Sequence, residues 1–147
     1  MENMGIIRAT LLLVNTADEI KLEEGMIVEN AVRKVEESFL VDTGAYMLSI
    51  NESMRARLGL RNIGFESYEL ADGSKQQFEV VGPVSVYFAN RNTMCRALVL
   101  PGNTEPLLGV IPMEDMDVVL NPRLQTITVH PDHPDMPVKP LKYKRKL

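Results

Sequence analysis

The chain has 147 residues, 45% of them hydrophobic, which suits one domain with a real core. A net charge of −4 gives no whole-chain nucleic-acid footprint, and the lone Cys95 excludes an internal disulfide. The apolar run Leu11 to Val14 is too short for a membrane span, and Met1 to Gly5 lacks the basic start of a signal peptide, so the sequence reads as cytoplasmic and soluble.

Nine prolines, nine glycines and short runs rich in Val, Ile, Thr and Leu predict an all-β chain with one or two short helices. Ile6 to Val14 reads as a strand and Asn15-Thr16-Ala17-Asp18 as its turn. Ile20 to Val35 reads as a two-stranded hairpin turning near Glu23-Glu24-Gly25, and Glu37 to Val41 as a further strand. Asn51 caps a predicted helix through Leu58, with Glu52 in its first turn and Gly59 beyond its end. Glu66 to Leu70 and Gln76 to Val81 flank Ala71-Asp72-Gly73-Ser74, a strong hairpin signal. Pro83 to Phe88 and Met94 to Leu100 predict another hairpin, turning at Asn90-Arg91-Asn92. Pro112 suits the first position of a second helix, and Val118 to Leu120 and Leu124 to Val129 read as strands around Asn121-Pro122. Residues 1–130 therefore form the predicted domain. Residues 131–147, with four prolines and a charge of about +3, form an extended or disordered basic tail.

One stretch carries chemistry. Asp42-Thr43-Gly44-Ala45 follows the apolar run Phe39-Leu40-Val41, placing a carboxylate on a tight turn at the end of a buried strand. Asp-Thr-Gly also makes turns for purely structural reasons, because Asp hydrogen-bonds the backbone and Gly accepts positive φ. The apolar strand before it and the small Ala45 after it favour a functional turn, packed close against other backbone.

These residues resemble the retropepsin-like aspartic proteases, in their small bacterial and archaeal form. Asp42-Thr43-Gly44-Ala45 is similar to the active-site loop, and Tyr68-Glu69-Leu70-Ala71-Asp72-Gly73-Ser74 to the hairpin flap that closes over substrate. Leu107-Leu108-Gly109, before a short helix, matches the apolar pair and glycine that pack beneath the loop. The resemblance implies a closed-barrel acid-protease fold, each chain being the single-lobe subunit of a homodimer. It implies a catalytic Asp42 from each subunit, Thr43 bracing the two loops across the dimer, and Gly44 letting the chain turn close to substrate. It implies a peptide or protein substrate, bound with help from Tyr46, Leu70, Ala71, Asp72, Gly73 and Ser74, and no cofactor or metal. Two departures stand out: a bulky Tyr46, which either lines a substrate pocket or fills the core, and a flap with fewer glycines than the retroviral enzymes. The alternative is a dimer of the same fold that binds peptides or proteins without cutting them.

Other motifs carry less. In an extended polyproline segment His130 and His133 lie ~9 Å apart, too far to share one zinc comfortably, so the repeat reads as a solvated spacer. Cys95 sits in a strand-like run and reads as an inert core thiol. The basic end Lys142 to Lys146 reads as solvated charge, the weaker alternative being recruitment of an acidic partner.

Overall fold

A computed structural model describes residues 6–142; the basic residues from Lys144 to Lys146 and the stretch Met1 to Gly5 lie outside it. Of the described residues, 46% are in strands and 18% in helices. The elements are β1 (Ile7–Asn15), α1 (Thr16–Glu23), β2 (Lys34–Val41), β3 (Leu48–Asn51), α2 (Glu52–Leu58), β4 (Asn62–Glu69), β5 (Lys75–Phe88), β6 (Arg91–Leu100), β7 (Leu107–Leu108), α3 (Val110–Met116), β8 (Val118–Asn121) and β9 (Thr126–Val129). A 3-10 turn, Glu29–Ala31, lies between α1 and β2.

The order in the main sheet is β1-β2-β7-β3-β6-β5-β4, with a second pairing between β1 and β5; β8 and β9 form a separate two-stranded sheet. Alternation explains β1: Ile7, Ala9, Leu11 and Leu13 are buried while Arg8 and Thr10 face out. Together with Phe39, Leu48, Ile50, Val84, Val86, Leu108 and Met116 they make one continuous core. Apart from the small Ala9, each such side chain removed from water contributes roughly 1.5–3 kcal/mol.

Two pairings are parallel, β2 with β7 and β3 with β6. The first puts Leu40 beside Leu107 and Val41 beside Leu108, so β2 ends next to β7 at the core's edge. The residue after Val41 is Asp42. Strand pairing therefore sets its position.

The predicted hairpin from Ile20 to Val35 is not formed. Asn15 caps α1 instead, its side-chain oxygen accepting the Asp18 N–H at 3.1 Å, while its amide donates to the Leu58 carbonyl at 2.9 Å. The turn at Glu23-Glu24-Gly25 exists but ends a helix: Gly25 lies at φ +72°, and the Met26 N–H reaches the Lys21 carbonyl at 2.8 Å. Asp18 fixes the return of the chain, binding the Arg33 guanidinium at 2.9 and 3.0 Å and its backbone N–H at 3.0 Å.

Other boundaries shift for local reasons. The two strands read around Gly82-Pro83 are one long strand, β5, whose register with β6 slips between Val81 and Val84. Pro83 sits within that slip, where its missing N–H removes no ladder bond. The β5–β6 turn falls at Ala89-Asn90, one residue early, because Arg91 already pairs with Phe88. α3 starts at Val110, with Pro112 third, still among the orphan N–H positions of a first turn. α2 is as predicted: Asn51 accepts the Met54 N–H at 2.9 Å, and Gly59 at φ +60° ends the helix. Three α-helices thus replace the one or two expected.

Candidate active site

The loop after β2 is built from backbone upward. The Asp42 N–H donates to the Leu108 carbonyl at 3.0 Å, and the Ala45 N–H returns to the Asp42 carbonyl at 3.1 Å, closing a tight turn. The half-buried Asp42 carboxylate accepts the Gly44 N–H at 2.8 Å through Oδ1. Its orientation is fixed by its own turn, and Oδ2 is left for other partners.

Gly44 is not in the left-handed region, so positive φ is not the reason for glycine here. A Cβ at this position would stand 3.1 Å from Asp42 Oδ1, tight against the carboxylate whose hydrogen bond it must share. Thr43 and Tyr46 are exposed, and Ala45 is half-buried. Tyr46 therefore does not fill the core, at 58% exposure.

Beneath the loop lies Gly109. A Cβ there would meet the Met47 carbonyl oxygen at 2.3 Å, the Ala45 carbonyl oxygen at 2.8 Å and the Met47 nitrogen at 2.9 Å. All three are backbone atoms and none can swing away. The loop also caps α3: the Val110 N–H donates to the Ala45 carbonyl at 2.9 Å, and the Ile111 N–H to the Tyr46 carbonyl at 3.0 Å. Orphan donors of the helix N-terminus thus hold the segment after Asp42, so Gly109 needs no side-chain cap.

The hairpin of β4 and β5 carries the tip Leu70 to Ser74, exposed throughout. Gly73 takes φ +85°, its N–H donating to the Leu70 carbonyl at 2.9 Å, and the Leu70 N–H donates to the Ser74 carbonyl at 2.7 Å. Asp72 Oδ1 accepts the N–H and hydroxyl of Ser74, which hold the Asp72 carboxyl below its ordinary range. These hydrogen bonds of Leu70, Asp72, Gly73 and Ser74 stay within the tip. Lower on the same hairpin, Tyr68 donates to Glu66 at 2.7 Å and meets Phe78 edge-on at 6.2 Å; Glu66 in turn pairs with Arg96 at 2.9 Å. Burial first, then Glu66, pushes the Tyr68 phenol up to about 12.

The structure therefore joins Asp42 to Ala45 directly with Leu107 to Gly109, and joins the Leu70–Ser74 tip to neither by hydrogen bonds. A cleft of about 670 Å³ starts at Thr43 and runs along α3, lined by Val110, Ile111 and Glu114 on one side and by Val138, Lys139 and Pro140 on another. It lies beside the Asp42 carboxylate, not on it. Sequence reading missed this cleft because its far wall comes from a segment more than ninety residues away. It missed the capping of α3 because both acceptors are backbone carbonyls, which leave no residue-type signal.

Among the described residues no cluster of three or more His, Cys, Asp or Glu could hold a metal. Nor, among the described residues, is any helix long and apolar enough to cross a membrane. His130 and His133 are not at extended spacing: the His133 N–H returns to the His130 carbonyl at 3.0 Å, and the rings stack at 4.5 Å. Each ring is already engaged, His130 Nδ1 by the Asp132 N–H and His133 Nδ1 by Asp117. Burial pushes the Cys95 thiol up to about 12, with Asp115 adding to it, so that thiolate chemistry is closed to it near neutrality.

No curated protein matches the chain. Residues 28–113 match the family model described as gag-polyprotein putative aspartyl protease, a span running from before β2 to within α3 and including the Asp42 loop, the hairpin and Leu107 to Gly109. With this match over more than half its length, the chain belongs to the retropepsin-like aspartyl protease family.

Proposed function

We propose that the protein is an aspartic endopeptidase that works as a homodimer, each subunit supplying Asp42. The observation that carries this reading is the Asp42 turn: a carboxylate at the end of a buried parallel pair, with one oxygen held by Gly44 and the loop braced from below at Gly109. The pairing of β1 with both β2 and β5 fits the closed barrel of an acid protease. One described chain offers one such aspartate, so the second comes from a twofold-related copy.

The chemistry follows from the pair. Two carboxyls at about 3 Å resist double ionisation and hold one proton between them. The ionised member takes a proton from a bound water as it attacks the scissile carbonyl carbon. The protonated member gives its proton to the carbonyl oxygen, forming a tetrahedral diol. Collapse of that diol breaks the C–N bond, with a proton passing to the leaving amine. The apparent pKa values belong to the dyad, not to either Asp42. In this reading Thr43, exposed beside the carboxylate, meets its counterpart across the twofold. The hairpin tip Leu70 to Ser74 serves as the lid that excludes water and pairs with an extended peptide. Tyr46, solvent-facing on the loop after Asp42, lines the peptide cleft.

The test compares wild type with Asp42→Asn on a peptide library from acid to neutral pH, after both are verified as dimers. Cleavage by wild type that is lost in Asp42→Asn and blocked by a statine-type mimic supports the reading. Retained peptide binding with no turnover in either protein replaces it with a non-cutting binding dimer.

A further inference from the structure

The residues after β9 are fastened to the body by the side chains of Asp117, Arg91, Asn90 and Asp115. Asp117 ends α3 in a left-handed conformation, φ +54°. Its Oδ2 accepts the Val138 N–H at 2.9 Å and pairs with His133 Nδ1 at 2.8 Å, and Arg91 Nη2 lies 3.7 Å away. The Asp117 carbonyl accepts the His130 N–H at 3.1 Å. Arg91 is fully buried and also donates to the His133 carbonyl at 2.6 Å. Its Nε and Nη1 have no partner among the described residues. Two further fasteners exist: Asn90 donates to the Pro134 carbonyl at 2.7 Å, and Lys139 meets Asp115 at 2.9 Å. Just past them, Val138, Lys139 and Pro140 wall the cleft that begins at Thr43.

We propose that residues 130–140 are a strap whose outer half, residues 137–140, is fastened by the Asp117 carboxylate, closes one side of the cleft beside Thr43 and is released by acid. Residues 133–135 are held by Arg91 and Asn90 through backbone carbonyls, contacts that do not titrate. Residues 137–140 are held by the Val138 N–H on Asp117 and by the Lys139–Asp115 pair, each of whose side chains is 46% exposed. A pair that open to solvent contributes little. The cleft-lining half therefore depends on Asp117 remaining ionised.

The charged groups facing Asp117 are Arg91 from β6 and His130 and His133 from the strap, with Asp115 and Lys139 flanking them. The Val138 N–H first, then His133, hold the Asp117 carboxyl below its ordinary range, against the opposing effect of burial. A lowered carboxyl stabilises the fastened form above the ordinary carboxylate range, and that stabilisation is lost as pH falls through the lowered value, below about 4. Protonation also leaves the buried Arg91 charge without its carboxylate. This holds whether or not the protein cuts peptides.

Amide hydrogen exchange on the intact protein, followed by NMR, tests it, with the paired amides of β5 and β6 as the folding reference. The Val138 amide is expected to lose protection by about tenfold or more in Asp117→Asn at neutral pH, the loss of a charge-assisted hydrogen bond. Wild type falls to the same low protection as pH drops below the ordinary carboxylate range, while the reference amides stay protected and the Thr43 methyl resonance shifts in step. Asn tolerates the left-handed backbone at this position. If that variant nevertheless fails to fold, the wild-type titration decides alone. Val138 protection that follows the reference amides across the whole pH range overturns the proposal, as does wild-type protection in Asp117→Asn. A Thr43 methyl that does not move as Val138 opens overturns the placement of the strap on the cleft.

Discussion

Replacing Gly109 by alanine isolates the support under the Asp42 loop. The added Cβ falls 2.3 Å from the Met47 carbonyl oxygen and within 2.9 Å of two further backbone atoms, so the chain itself must move. Overpacking of this type costs about 1–3 kcal/mol. Displacing the loop also breaks the Val110-to-Ala45 and Ile111-to-Tyr46 hydrogen bonds, at about 1 kcal/mol each. The sum, about 3–5 kcal/mol, is a large share of the 5–15 kcal/mol that a domain of this type has in total. Urea unfolding followed by circular dichroism reads it as a fall in midpoint at constant slope. Gly25→Ala is the control. It has open space around the added carbon and differs only in carrying an L side chain at φ +72°, a cost of about 1–2 kcal/mol. A Gly109→Ala protein no less stable than Gly25→Ala would refute the reasoning that the loop rests on that contact.

Two further predictions concern the body of the fold. Asp18→Asn removes the carboxylate that Arg33 grips through three donors and destabilises the protein by about 2 kcal/mol at neutral pH. The Arg33 side-chain hydrogen bond holds the Asp18 carboxyl below its ordinary range, so this stability is present above about pH 4 and is lost as pH falls through the lowered value. Wild type and Asp18→Asn therefore converge in acid, and a gap between them that does not change with pH contradicts the assignment. Cys95, its thiol pushed up to about 12 by burial, resists a disulfide reagent at neutral pH in the native protein and reacts at once in denaturant; fast labelling of the native form would show a mobile strand β6.

The sequence made the site easier to read than the fold around it. Asp42 and Gly73 announce themselves because each answers a local demand, a turn carboxylate and a left-handed tip, whereas Gly109, crowded by the distant Ala45 and Met47 backbone, is legible only through the family resemblance. Asn51 and Gly59 mark α2 for the same reason, since capping is chemistry between near neighbours. α1 escaped because Glu23-Glu24-Gly25 ends a helix and turns a hairpin with the same residues, and the deciding contacts, Asn15 to Leu58 and Asp18 to Arg33, are long-range. β3 escaped because it is only four residues long and runs directly into the Asn51 cap of α2, which drew the reading to the helix. The seating of residues 130–140 depends on Asn90, Arg91 and Asp117, none of which looks unusual in sequence.

The central claim is that one catalytic site needs Asp42 from two chains. Subunit mixing tests it most directly: wild type is co-refolded with increasing fractions of Asp42→Asn at constant total protein, and peptide cleavage is measured. The account predicts activity that follows the square of the wild-type fraction, because only dimers with two aspartates hold the shared proton. Activity that falls linearly with the wild-type fraction would mean that each chain carries a complete site, and would contradict it.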